Sequence, residues 1–160
     1  MKSTSSSKHH KLLLQKLRSR KALIGIVGLG YVGLPLALAY AEKGYRVLGL
    51  DIDEEKISSI NSGKSYIQHI ASQRIQNAYS QGRLEASSEF TRSADADALI
   101  LCVPTPLNQY REPDLGFIQS TMVELIKYIK KGQVLSLEST TYPGTTEEEL
   151  KPLIENANFQ

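Results

Sequence analysis

The chain has a single cysteine, Cys102, in its 160 residues. That excludes an internal disulfide and fits a reducing, cytoplasmic setting. No apolar run approaches the roughly 20 residues needed to cross a membrane. Leu12–Leu14 is too short to be the core of a secretory signal. No internal repeat, heptad pattern, metal-ligand spacing or nucleophile–base motif is present, and His9 and His10 alone make no metal site. Acid is missing from residues 1–21, which hold seven basic groups: Lys2, Lys8, Lys11, Lys16, Arg18, Arg20 and Lys21. The remainder keeps 12 of the 19 basic groups against 17 acidic ones, so a mildly acidic body carries a basic arm. Residues 1–21 are expected to be a flexible, solvated arm rather than a nucleic-acid or lipid contact, with a disordered serine-rich start and a short basic helix over Lys11–Arg20. The hydrophobic fraction of 41% and the length suit one globular domain over 22–160.

The stretch from Lys21 to Asp51 has the densest pattern. An apolar run, Ala22–Val27, meets Gly28, Gly30 and Gly33 in the spacing G-x-G-x-x-G. A helical pattern follows, then Gly44, then a second apolar run that ends on Asp51. Strand, glycine turn, helix, strand and carboxylate within one such unit are what a dinucleotide site requires. Gly28 permits the tight turn, Gly30 leaves room for a diphosphate against the backbone, and Gly33 lets the helix approach the sheet. The helix N-terminus supplies free N–H groups and partial positive charge. A carboxylate at Asp51 accepts hydrogen bonds from both adenosine ribose hydroxyls and repels a 2′-phosphate, which favours NAD over NADP. Asp53 reads as the N-cap of the next helix, with Glu54 and Glu55 in its first turn.

Further along, the spacing predicts a helix from Asp53 to Asn61 and another over residues 66–81, with His69 partly buried beside the apolar stripe. Short strands are expected at Arg83–Ala86, Ala98–Val103 and Gln133–Glu138. A helix capped by Asp114 is expected to run to Lys131, with Phe117, Thr121, Leu125, Ile126 and Ile129 inward. Thr145 and Glu148 read as a capping box for a last helix, which Pro152 should kink or stop. Pro104-Thr105-Pro106 and Ser139-Thr140-Thr141 both fall at strand carboxyl ends, where open α/β sheets bind ligands. The fold expected is a Rossmann-type doubly wound parallel sheet that stops before a sixth strand.

Four segments together resemble the nucleotide-sugar 6-dehydrogenases, the UDP-glucose/GDP-mannose dehydrogenase group. They are GLGYVGLPLA (Gly28–Ala37), LDIDEEKI (Leu50–Ile57), CVPTPL…REPDL (Cys102–Leu115) and LESTTYPGTTEE (Leu137–Glu148). The glutamate before Ser-Thr makes the last segment more similar to the branch acting on UDP-N-acetylglucosamine or UDP-N-acetylgalactosamine. The resemblance implies oxidation of a sugar C6 alcohol to a carboxylate in two NAD-dependent steps. It places Tyr31 and Val32 at the cofactor in the glycine turn, Asp51 on the ribose, Lys56 near the adenosine, and Val103 and Thr105 in the cofactor cleft. Thr140 matches a threonine that orders a water or oxyanion near the nicotinamide. The family's nucleophilic cysteine lies in a later segment, so the chain is expected to bind NAD and catalyse nothing alone. A UDP-sugar and a homodimer are implied for the full-length protein, with no metal. A non-catalytic NAD-sensing module is the alternative, and it gives no reason for Thr105 and Thr140.

Overall fold

The computed structural model describes residues 3–156 apart from 108, 110 and 112. Five parallel strands form its sheet: β1 (Leu23–Val27), β2 (Arg46–Leu50), β3 (Leu84–Ser87), β4 (Ala98–Leu101) and β5 (Val134–Leu137). Their order is β3-β2-β1-β4-β5, so the chain reverses direction across the sheet between β1 and β4. That reversal is the switch point at which open α/β sheets bind ligands. The short apolar runs read as strands because both faces are covered. One core joins Ile24, Ile26, Val47, Leu84 and Ile100 to Leu34, Leu38, Ile57 and Ile75. Those partners come from α2 (Gly33–Glu42), α3 (Glu54–Asn61) and α4 (Ser72–Ser80). The opposite face packs Val27, Leu48, Leu50, Leu99 and Leu101 against Ile118, Met122 and Leu125 of α5 (Gly116–Leu125) and against Leu150.

Several elements differ from the sequence expectation. The first helix, α1 (Ser3–Arg18), is already helical within the serine-rich start. Its far end is tied to the domain: Lys16 Nζ lies 2.5 Å from Asp97 Oδ1, and the Tyr45 hydroxyl donates to the Leu17 carbonyl at 2.9 Å. Asp97 also accepts the Leu23 N–H at 2.9 Å, so the helix meets the sheet at the amino ends of its strands. The helix expected over residues 66–81 begins only at Ser72, because Ser65 and Ile67 close a side-chain turn that holds the preceding residues out of it. α5 ends at Leu125 rather than Lys131; Tyr128 N–H bonds Leu125, three residues back, and tightens the last turn. Its inward residues are Ile118, Met122 and Leu125, and Phe117 is 48% exposed. Thr145 makes no capping box: its buried hydroxyl donates to the Tyr142 carbonyl at 2.8 Å. The break expected at Pro152 takes the form of a π turn (Thr146–Leu150) before α6 (Lys151–Asn156). A proline cannot donate to the residue four back, and a wider turn accommodates the gap.

Candidate functional site

The carboxyl ends of β1, β2, β4 and β5 open into one cleft of about 750 Å³. The glycine turn forms its floor, and the three glycines do three different things. Gly28 sits at φ +90°, and a Cβ there would stand 2.8 Å from the Cys102 carbonyl oxygen. A Cβ on Gly33 would stand 1.8 Å from the Gly28 carbonyl oxygen, so α2 can pack on the turn only as glycine. A Cβ on Gly30 would meet nothing within 4 Å. Gly30, Tyr31 and Val32 line the cleft just ahead of α2, at the helix end whose dipole favours an anion.

Asp51 is buried at the end of β2. Its Oδ2 accepts the Leu29 N–H at 2.7 Å and its Oδ1 accepts the Asp53 N–H at 3.0 Å. Lys56 Nζ stands 3.5 Å from both Asp51 Oδ2 and Asp53 Oδ2. The carboxylate therefore holds the glycine turn and the α3 entry in place while lining the cleft. Asp53 caps α3 as expected, accepting from the N–H groups of Glu55 and Lys56. The Lys56 N–H, with that of Glu55 and the Lys56 charge, holds its carboxyl below the usual range.

Across the cleft, Ser139 Oγ donates to the Val103 carbonyl at 2.7 Å and ties the ends of β4 and β5 together. Thr105 and Thr140 consequently line the same end. Cys102 is buried at the floor, where desolvation, with the Glu138 carboxylate adding to it, pushes the thiol up to about 11. A thiol held neutral in this way is a structural group rather than a nucleophile. The polar loop Leu107–Pro113 closes through a bridge between its two end residues; Asn108, Tyr110 and Glu112 lie outside the described residues.

Of the ten residues singled out from the sequence, Gly28, Gly30, Tyr31, Val32, Asp51, Lys56, Val103, Thr105 and Thr140 all line this cleft. Gly33 packs behind it. Ile52, Tyr66, Phe90 and Phe117 also line it and carried no local signal. Ile52 is 82% exposed and offers an apolar face beside Asp51, and Phe90 and Phe117 lie nearby on the wall. Tyr66 donates its hydroxyl to the Leu29 carbonyl at 2.5 Å, and burial, with the Asp51 and Asp53 charges, pushes its ionisation well upward. His69, expected to be partly buried, is exposed and stacks on Tyr31 with ring centroids 6.3 Å apart, because the early start of α4 was replaced by a loop. Tyr66→Phe should leave the fold intact and lower stability by about 1 kcal/mol, the usual worth of one such bond. Urea unfolding of the two proteins checks it; an unchanged midpoint would mean that the hydroxyl pins nothing.

The cleft suits a dinucleotide: its volume falls within the ~300–1,000 Å³ typical of ligand sites. Backbone space is left at Gly30 and a carboxylate stands one strand away. Fold and site together define a dinucleotide-binding domain of the Rossmann class. Residues 22–160 match the UDP-glucose/GDP-mannose dehydrogenase family, NAD binding domain. The chain belongs to that family, and NAD is its cofactor.

Relatives agree. The chain is 37% identical over 127 residues to the UDP-N-acetyl-D-mannosamine dehydrogenase of Escherichia coli (strain K12), which covers 79% of this chain and 30% of that protein. It is 36% identical over 126 residues to the NDP-N-acetyl-D-galactosaminuronic acid dehydrogenase of Ralstonia nicotianae, with 78% and 29% covered. Among solved structures, a ternary complex of GDP-mannose dehydrogenase from Pseudomonas aeruginosa superposes with a TM-score of 0.80 at 34% identity, over 84% of this chain and 32% of that one. The chain thus spans about 30% of the length of the curated relatives it matches.

Proposed function

We propose that the polypeptide carrying this domain oxidises the C6 alcohol of a UDP-N-acetylhexosamine to a carboxylate in two NAD-dependent steps. By itself the chain binds NAD and turns over no sugar. One observation carries the reading: a single cleft joins Asp51, the glycine turn and two threonine-bearing strand ends. A non-catalytic sensor would need the first two and has no use for Thr105 and Thr140. The bound cofactor supplies the hydride acceptor. Asp51 and Lys56 hold the adenosine ribose, and the α2 N-terminus with Tyr31 and Val32 takes the diphosphate. Val103 and Thr105 line the nicotinamide side. The Thr140 hydroxyl orders a water or meets the alkoxide-like charge that develops as the alcohol loses its hydride. The relatives' names, for N-acetylmannosamine and N-acetylgalactosaminuronic acid, support an N-acetylated sugar. The full-length protein is taken as a cytoplasmic homodimer that uses no metal.

The test is NADH formation by the full-length protein with a panel of UDP-sugars. Two NADH per sugar are expected with a UDP-N-acetylhexosamine. No NADH with any UDP-sugar would overturn the reading.

A further inference from the structure

The strand order fixes how far apart the two ends of the cleft lie. Asp51 follows β2 and Glu138 follows β5, and β1 and β4 stand between them. Three strand spacings are about 14 Å. A dinucleotide with its ribose at Asp51 and its diphosphate at the β1 turn therefore extends its nicotinamide toward the ends of β4 and β5. Glu138 lines the cleft there, immediately before Ser139 and Thr140.

The charges along the cleft are unevenly matched. Lys56 is the one basic side chain among its described lining residues, and it is committed to Asp51 and Asp53. Among the described residues Glu138 has no ion-pair partner and accepts one hydrogen bond, from the Ser136 hydroxyl at 2.7 Å. Its field reaches the cleft floor, since it is one of the two causes that hold the Cys102 thiol neutral. The nicotinamide ring is cationic in NAD+ and neutral in NADH. A fixed negative charge beside it attracts one form and is indifferent to the other.

We infer that Glu138 is a specificity residue for the oxidation state of the cofactor: its carboxylate favours NAD+ over NADH in this cleft. An enzyme that oxidises one sugar twice must exchange spent NADH for NAD+ between steps, and a charge at this position biases that exchange forward. The inference rests on the cofactor placement proposed above.

Binding of NAD+ and NADH to the chain, measured separately by calorimetry, tests it. Glu138→Gln keeps the side-chain shape and a carbonyl for the Ser136 hydroxyl. It should weaken NAD+ binding about three- to tenfold and leave NADH within twofold. Glu138→Lys should widen the loss for NAD+ further, and raising the salt concentration should shrink the wild-type preference. Equal changes in both forms, or no change in either, would overturn the inference while the cofactor assignment stands. Failure of the unaltered chain to bind either form would overturn both.

Discussion

Gly33→Ala is expected to abolish NAD binding and to cost about 3 kcal/mol or more of stability. The added methyl would stand 1.8 Å from the Gly28 carbonyl oxygen, a backbone atom that cannot rotate away. Either α2 lifts from the sheet or the turn opens, and each outcome removes the α2 N-terminus from the cleft. Gly30→Ala is the matched control. A methyl there meets nothing within 4 Å, so stability should stay within about 0.5 kcal/mol. The same methyl fills space left for the diphosphate, and NAD affinity should fall at least about tenfold, the scale set by losing one close polar approach. Thermal unfolding and calorimetry on the two variants separate the roles. Equal stability losses would contradict the assignment of Gly30 to the ligand and Gly33 to packing.

The second large effect is expected at Asp51. Its two carboxylate oxygens accept from different N–H groups, those of Leu29 and Asp53. An asparagine has only one acceptor oxygen, so Asp51→Asn sets its NH2 against one of these donors. One unsatisfied buried donor costs about 1–3 kcal/mol. The ribose loses its charged acceptor as well, worth about tenfold to a hundredfold in NAD affinity. Removing the charge also lifts the repulsion against a 2′-phosphate, so NADP should gain relative to NAD. Unaltered NAD affinity in this variant would remove Asp51 from the binding site.

The glycine unit was legible because each of its residues reports on a local constraint. A turn at φ +90° and a site where a Cβ would stand 1.8 Å from a carbonyl oxygen tolerate only glycine, and the carboxylate that fastens the turn closes the same short unit. The two-sided burial of the strands left continuous apolar runs, so the parallel sheet was legible too. What escaped depends on distant parts of the chain. Tyr66 reaches Leu29 across 37 residues, and nothing near it in sequence announces that bond. The apolar stripe over residues 66–71 suits a helix or a packed loop equally, and the Ser65 turn decided for the loop. α5 shifted its phase because Met122, rather than Thr121, faces the sheet, which turns Phe117 into the cleft wall. In α1, the partner of Lys16 is Asp97, 81 positions away, so the anchoring of that helix had no local signal either.

Asp51 also links fold and function in one carboxylate. It fastens the glycine turn to the start of α3 and lines the cleft; in the function proposed above it also receives the adenosine ribose, so the cleft's shape and its choice of cofactor would depend on the same group. Calorimetric titration of the chain with NAD and with NADP tests this most directly. One NAD per chain is expected, with NADP weaker by about a hundredfold, because a 2′-phosphate would meet a fixed negative charge with little solvent between them. No heat of NAD binding, or equal affinity for the two cofactors, would contradict it.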